Sequence, residues 1–326
     1  MNRHSIALIA FAAAAAAMLA TACEKVLDID ETPSQLVLNG LPSAGQRAFV
    51  YFANTRFFLD GSNNHPVPGL APADVTLRVN GSAMTPDSVS QCNYFFPHTY
   101  APGDSVSISI GTPQGTVSAS TYVPLMPDIA DFGFNSYAGP TFNFMVASFT
   151  LNDHAANDEI YRIVVTERDS GLRYNAWTAS YDTIDTITSA FFMMPADATD
   201  ITGNDVCPYI PLGGYLYSTL MFTDRHIDGR SYPVSLLILQ TTDTNEVRPF
   251  KHEYHVDVSS VTPARFRYIL SASQQGGLTS FFAEQGEVLG NVDGALGIFA
   301  GSSTRKFQYD TLLVDDEERL GGSRRL

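Results

Sequence analysis

The stretch at residues 74–81 reads Asp74-Val75-Thr76-Leu77-Arg78-Val79-Asn80-Gly81, and it decides the fold class of this chain. Its apolar residues alternate with polar ones, which is typical of a β-strand with one buried face. It ends on Asn-Gly, the dipeptide favoured in the tight turns of β-hairpins, because such turns require positive φ. The stretch therefore predicts a hairpin of antiparallel sheet.

Similar β-rich runs, separated by Gly, Pro, Asn and Asp, occur on both sides of this hairpin. A first set covers residues 35–39, 47–58, 74–80, 93–96, 105–110 and 116–123. A second set covers residues 141–151, 159–168, 173–181, 215–223, 232–241 and 251–258. We expect a mainly β protein, with an immunoglobulin-like antiparallel sandwich over residues 34–124 and a second β-rich domain over residues 125–312.

One helix is predicted in the second domain, near residues 262–275. Thr262 is expected to cap its N-terminus by accepting a backbone N–H, and Pro263 suits the first turn. Glycines at 276 and 277 are expected to end it. One face carries apolar side chains at helical spacing, which predicts packing against a sheet: Phe266, Ile269 and Leu270.

Residues 1–22 have the pattern of a secretory signal peptide, with Arg3 before an apolar run at residues 6–20. That run is short for a spanning helix, which needs about 20 apolar residues. Small residues precede Cys23, as lipoprotein signal peptidase requires, although Leu19 lies one place from its commonest position. We expect Cys23 to be acylated; the alternative is a cleaved signal without lipid, in which Cys23 is an ordinary thiol.

The segment behind Cys23, residues 23–33, is acidic and is expected to form a lipidated tether. A triacylated N-terminus carries more than one chain and would hold the protein stably on a membrane. At the other end, residues 313–326 are expected to form a flexible, charged tail.

The chain has 34 acidic and 19 basic residues, a formal net charge of −15. Such an acidic surface argues against nucleic acid as a partner. If Cys23 is acylated, Cys92 and Cys207 remain, and an oxidising compartment would allow a disulfide between them. Two isolated buried thiols are equally compatible with the sequence.

Common catalytic motifs, such as Gly-x-Ser-x-Gly, a phosphate-binding loop and His-Glu-x-x-His, do not occur. The nearest pattern is His252-Glu253-Tyr254-His255. On a strand its two histidines point to opposite faces, so they are predicted to lie on a surface strand and not to share a metal ion. We therefore predict no catalytic residues.

A loop at residues 152–159 offers weak candidates for a metal site in Asp153, Asp158 and Glu159. Calcium binds six to eight oxygen ligands in flexible geometry, and this loop could supply several of them. The alternative is a solvated acidic turn, because the loop lacks regular Asp-x-Asp spacing. A second, weaker acidic cluster has the same two interpretations: Asp197, Asp200 and Asp205. No other cofactor is indicated.

Aromatic residues are plentiful, and Trp177 is the only tryptophan. Exposed aromatic side chains would predict a face that binds sugar or protein. Most of these residues are expected to lie in the sandwich cores.

Several segments together resemble a known family: residues 23–29, 36–40, 158–162, 222–232, 267–268 and 290–301. The chain is similar to a family of Bacteroidota outer-membrane lipoproteins of uncharacterised function, the domain of unknown function 4249 family, often encoded beside TonB-dependent receptors. The resemblance implies an outer-membrane location and a TonB-dependent receptor as partner. It transfers no catalytic residue, and the glycine-rich segment at 290–301 is expected to be structural.

From these features we expect a lipid-anchored outer-membrane protein facing the cell surface. We expect it to bind a ligand or to assist a TonB-dependent uptake system, and to be a binding protein in preference to an enzyme. One alternative is a cell-surface hydrolase acting on glycan or peptide, with loop carboxylates as acid and base. Another is a structural or adhesive envelope protein.

Overall fold

The structure is a computed structural model that describes residues 34–55, 66–138, 143–155, 158–175, 177–178, 180–193, 219–239, 247–273 and 288–312. The predicted signal peptide, tether and charged tail lie outside the described residues, as do Cys207 and the second acidic cluster. Within the described part, no helix is both long enough and apolar enough to cross a membrane.

The N-terminal part consists of eight strands in the described residues: β1 Leu36–Gly40, β2 Arg47–Asn54, β3 Val75–Val79, β4 Ser82–Met84, β5 Ser88–Ser90, β6 Asn93–Thr99, β7 Ser105–Thr112 and β8 Gly115–Tyr122. They form one sheet with the order β5-β6-β2-β1 and another with the order β4-β3-β7-β8. Alternate side chains of both sheets share one core, which includes Leu38, Phe52, Phe96, Leu77 and Ile108. Each such fully buried side chain contributes about 1.5–3 kcal/mol.

The rest of the described chain consists of β9 Asp128–Ala138, β10 Asn143–Asn152, β11 Ile160–Asn175, β12 Ser180–Ser189, β13 Phe192–Met193, β14 Thr219–Thr223, β15 Ser231–Leu239, β16 Val247–Val261, α1 Pro263–Ser273, β17 Leu296–Phe299 and β18 Ser302–Leu312. One sheet has the order β13-β15-β10-β9 and the other the order β12-β11-β16-β18, with β14 paired to β11. A second core lies between them and includes Phe149, Leu236, Tyr161 and Tyr254.

The first sheet also includes β17, which pairs in parallel with β1 at its free edge. Gly297 of β17 has φ +115°, and a Cβ there would collide with the backbone carbonyl of Leu38. Only glycine permits this close approach. The glycine-rich segment thus joins the C-terminal region to the N-terminal sheet.

The prediction of a mainly β chain with antiparallel sandwich packing and a helix near residues 262–275 is confirmed. Along the chain, Val123 belongs to the first core and Ile129 to the second, close to the predicted domain boundary at residue 124. All the described residues from Gln35 onward nevertheless belong to one compact unit. The division at residue 124 into separate domains stays a prediction.

The predicted break between strands 159–168 and 173–181 is wrong. β11 is a single strand of 16 residues that runs through both segments. It is paired with β16 over most of its length, from Tyr161 to Arg173, so the polar residues in its middle are held in the ladder by neighbours on both sides. The break was inferred from composition, which tertiary pairing overrides.

The predicted surface strand around His252-Glu253-Tyr254-His255 is also wrong. The segment lies in β16, between β11 and β18. Glu253 is 4% exposed and Tyr254 is completely buried. A strand flanked on both sides and covered by a core on one face is an interior strand, whatever its charged residues suggest.

The side-chain cap expected from Thr262 is not formed. Its backbone carbonyl accepts a hydrogen bond from the Phe266 N–H at 3.1 Å. Its Oγ1 atom, however, is buried without a hydrogen-bond partner in the described part of the chain. Thr262 itself is 2% exposed, so the packing around it, and not the needs of the helix terminus, sets the direction of its side chain.

Candidate functional site

A cleft of about 480 Å³ lies at one end of the sheet formed by β11, β14 and β16. It is built from the start of β11, the end of β14, the 3-10 turn Asp224–His226 and the first residue of α1. Four of its lining residues carry carboxylates: Asp158, Glu159, Asp224 and Asp228. The other lining residues are Ile160, Thr223, Arg225 and Pro263. A cleft of this volume lies within the range of small-molecule sites.

Pairing of β14 with β11 brings the two acidic segments together. Ile160 is opposite Thr223 in this antiparallel ladder. Glu159 precedes Ile160 and Asp224 follows Thr223, so the two acidic residues lie at the same end of the strand pair. The Asp224 N–H donates to the Glu159 carbonyl at 3.0 Å, and the Glu159 N–H donates to Asp224 Oδ2 at 2.6 Å. Asp224 is 7% exposed, so its carboxylate is held rigidly in the cleft wall.

Beside the cleft, one buried hydroxyl contacts two carboxyl groups. The Tyr161 hydroxyl is 2.7 Å from Asp153 Oδ1 and is also hydrogen-bonded to Glu159 Oε2. A tyrosine hydroxyl has one proton to donate, so both carboxyl groups are satisfied only when the pair holds one further proton. The same Glu159 oxygen lies 3.3 Å from His154 Nδ1, and Asp153 Oδ2 accepts the Gly229 N–H at 2.8 Å.

Burial and neighbouring carboxylates raise the pKa values of Asp153 and Asp224. Burial raises the pKa of Asp153, the carboxylates of Glu159 and Asp228 raise it further, and hydrogen bonds from Gly229 and Tyr161 oppose the rise. Burial also raises the pKa of Asp224, with added repulsion from Asp153, Asp158 and Asp228, against a hydrogen bond from the Glu159 N–H. A cation or a positively charged ligand group in the cleft would relieve this repulsion.

The structure brings the three predicted metal candidates into one neighbourhood, with Asp158 and Glu159 on the cleft and Asp153 beside it. Within the described ranges, no group of three or more His, Cys, Asp or Glu side chains is arranged to hold a metal ion. The sequence-based search missed Asp224 and Asp228 as neighbours of this loop. In the sequence, both residues are distinguished only by lying in the segment at residues 222–232, which is one of those that carry the family resemblance.

Of the predicted cysteine pair, Cys92 is buried in the tight turn between β5 and β6 with φ +65°, and it forms no disulfide within the described residues. Its supposed partner, Cys207, lies outside the described residues, as does Cys23. The disulfide and the acylation therefore stay predictions.

Trp177 departs from the expectation that aromatic side chains fill the cores. It is 99% exposed, in the turn between β11 and β12. Most of the largest fully buried side chains are nevertheless aromatic, and they include Tyr161, Tyr254, Phe52 and Phe222.

Comparison with known proteins gives one family and a distant structure. A family model described as Domain of unknown function (DUF4249) matches residues 24–308. A search of curated proteins finds no match. A similar solved structure is that of the Enterococcus faecalis MSCRAMM ACE, described as binding its ligands by the collagen Hug Model; it is 11% identical, with 87% of this chain and 96% of that chain covered and a TM-score of 0.26. Nothing about function follows from a likeness at that level.

Proposed function

The chain belongs to the family described as Domain of unknown function (DUF4249), and from that premise we propose that it is a lipid-anchored surface protein that binds a positively charged ligand group in its acidic cleft. It acts as an accessory of a TonB-dependent receptor in the outer membrane of a Bacteroidota cell. The observation that carries the binding role is the convergence of Asp158, Glu159, Asp224 and Asp228 on one cleft.

Membrane attachment follows from the N-terminal sequence. A signal peptide over residues 1–22 delivers the chain to the envelope, and acylation of Cys23 anchors it. The acidic tether at residues 23–33 is similar to the signals that send such lipoproteins to the outer leaflet. The folded part then faces the outside, where a ligand reaches it before the receptor does.

The charge of the cleft selects the ligand class. Ionised carboxylates in a partly buried cleft attract cations more strongly than they would in bulk water, because the local dielectric constant is lower. A ligand that carries an amine or guanidinium group would offset the repulsion among the carboxylates.

Affinity isolation tests this proposal. The tagged, lipidated protein is solubilised from its own outer membrane, and everything that accompanies it is identified by mass spectrometry. We expect a stoichiometric TonB-dependent receptor or a retained cationic small molecule. Asp158→Asn should weaken that association, because Asp158 is exposed at the cleft and the substitution removes one of the negative charges that attract the ligand.

The matched control is Asp131→Asn on edge strand β9. It removes the same charge from an exposed position outside the cleft, and asparagine tolerates the positive φ of +52° found there. Isolation of the wild-type protein alone, with no receptor and no retained ligand, would refute both the accessory and the binding role. Equal effects of the two variants would refute the cleft as the site.

A second function, hydrolysis of glycan or peptide, is favoured by one observation. Asp224 and Asp153 both have raised pKa values, as a general acid requires. Hydrolysis of labelled glycans or peptides by the wild-type protein, abolished in Asp224→Asn, would establish it. Absence of turnover across such a panel would leave the binding function.

A further inference from the structure

Two arginines lie over the same face of the sheet formed by β11, β16 and β18. Arg162 of β11 is two residues beyond Ile160 and points to the same side of the strand, since side chains alternate along it. Arg265 is in the first turn of α1, two residues beyond Pro263. Arg162 is opposite Ser259 in the ladder of β11 with β16, and Ser259 Oγ lies 2.8 Å from Thr304 Oγ1 of β18. Ser302, which accepts a hydrogen bond from Arg265 Nη1, is two residues from Thr304 and on the same face of β18, so both arginines lie over one face of this sheet.

Among the described residues, these two guanidinium groups have few hydrogen-bond acceptors. Arg162 Nε is buried and has no hydrogen-bond partner in the described part of the chain. Arg265 Nη1 donates to Ser302 Oγ at 2.6 Å, and Ser302 Oγ in turn lies 2.7 Å from Ser43 Oγ. A guanidinium carries five N–H donors, so most of the donors of this pair remain for another acceptor.

The positive charge of the pair is poorly balanced by the protein. Burial lowers the pKa of Arg265 to about 10, with repulsion from Arg162 as a further cause. Burial also lowers the pKa of Arg162, and Asp257 alone opposes this. Asp257 is in addition 3.6 Å from Lys306 Nζ, so one carboxylate serves two or more cations. Arg265 moreover lies at the positive end of the helix dipole, where a cation is unfavourable.

We propose that Arg162 and Arg265 form a binding site for a small oxyanion, of the phosphate or sulfate class. Two planar guanidinium groups match the oxygens of such an anion with paired hydrogen bonds. Ser302 Oγ accepts a hydrogen bond from Arg265 Nη1 and so holds one of the two guanidinium groups in place. The anion neutralises the two cations and occupies their free donors. This site is separate from the cation-binding cleft.

Titration calorimetry of the full mature protein in detergent tests the proposal, with inorganic phosphate as probe and chloride adjusted to keep the ionic strength constant. We expect saturable binding at one site. Arg265→Gln should reduce the affinity about tenfold or more, because charged hydrogen bonds are lost. Arg267→Gln is the matched control: the same helix loses the same charge at an exposed position, and affinity should change by less than about twofold.

A second arm uses phenyl phosphate in place of inorganic phosphate. Tighter binding of the ester assigns the site to a phosphoryl group of a larger ligand, and equal or weaker binding assigns it to free phosphate. On the wild-type protein alone, phosphate should also protect Arg265 and not Arg267 from phenylglyoxal, as mapped by mass spectrometry. Absence of saturable binding by both probes, or Arg265 that is modified equally with and without phosphate, overturns the proposal even if Arg265→Gln does not fold.

Discussion

Glu159 and Asp224 are joined by two hydrogen bonds, one between their backbones at 3.0 Å and one from the Glu159 N–H to Asp224 Oδ2 at 2.6 Å. The first fixes the distance between the loop before β11 and the 3-10 turn after β14. The second uses a carboxylate as a structural acceptor in a place where three other carboxylates repel it. The acidic cleft is therefore held in shape by one of the groups that give it its charge.

Replacement of Asp224 by alanine should open this junction. The Glu159 N–H would lose Asp224 Oδ2 as its acceptor, and an unsatisfied donor costs up to about 1–3 kcal/mol where it is shielded from water. Loss of the Asp224 charge also relieves the repulsion from the neighbouring carboxylates, so we expect the free energy of unfolding at neutral pH, measured by urea titration, to fall by less than that amount. Asp158→Ala, at an exposed cleft position, should leave stability nearly unchanged, and an equal loss in both variants would contradict the role of Asp224.

Asp153 should give the protein a pH dependence of stability. Because its pKa is raised above the ordinary aspartate value of 3.8, the folded state holds the proton more tightly than the unfolded state does. Its contribution is fully present below pH 3.8 and is lost as the pH rises through the folded-state pKa. The side chain in Asp153→Asn is neutral at every pH. Urea unfolding from pH 4 to pH 7 should therefore show the free energy of unfolding of the variant increasing relative to that of the wild type as the pH rises. A constant difference would count against a raised pKa.

Asp104 should act in the opposite direction. Burial raises its pKa, but hydrogen bonds from the Ala101 N–H, Asn80 and His98 outweigh this and lower it below 3.8. Its contribution to stability is present above that pH and is lost as the pH falls through the folded-state pKa. Asp104→Ala should cost about 1–3 kcal/mol at pH 7, because two close donors lose their acceptor. The deficit, measured by thermal unfolding, should shrink in acid.

Gly297 should tolerate no side chain. Alanine there would need φ +115° and would collide with the Leu38 carbonyl, so Gly297→Ala should cost at least about 2 kcal/mol. The parallel pairing of β17 with β1 should loosen, which hydrogen exchange of the Ile298 and Ala300 amides would detect. Gly111→Ala in β7 is the matched control, since φ there is ordinary and nothing lies within 4 Å of the added methyl.

Cys23 should carry the membrane anchor. Cys23→Ser removes the thiol that receives the lipid, so mass spectrometry of the mature N-terminus should find no acyl chains and the protein should leave the membrane fraction. Cys92→Ser, which changes a buried thiol, should leave acylation intact. A Cys23→Ser protein that still sediments with membranes would contradict the lipid anchor.

Local pattern was enough to identify individual strands and turns. The hairpin predicted from residues 74–81 is present as β3 and β4, and Asn80 and Gly81 have the positive φ values, +50° and +81°, that its turn required. The helix at Pro263–Ser273 was likewise predicted, apart from the cap at Thr262. Only one part of the site was predicted. The acidic character of the loop at residues 152–159 is visible in the sequence, but Asp224 lies far along the chain, in the 3-10 turn after β14.

The sequence by itself determined the strand-forming segments, the turns and the one helix that the structure describes, since each depends on neighbouring residues. It also determined the net negative charge, which depends on composition alone. Only the tertiary structure decided that Glu159 meets Asp224, that β17 pairs with β1, and that Arg162 and Arg265 lie over the same face of one sheet. Strands of similar composition can pair in many orders, and the free energy that selects one order comes from packing over the whole core. The charges that meet at the cleft are a consequence of that selection.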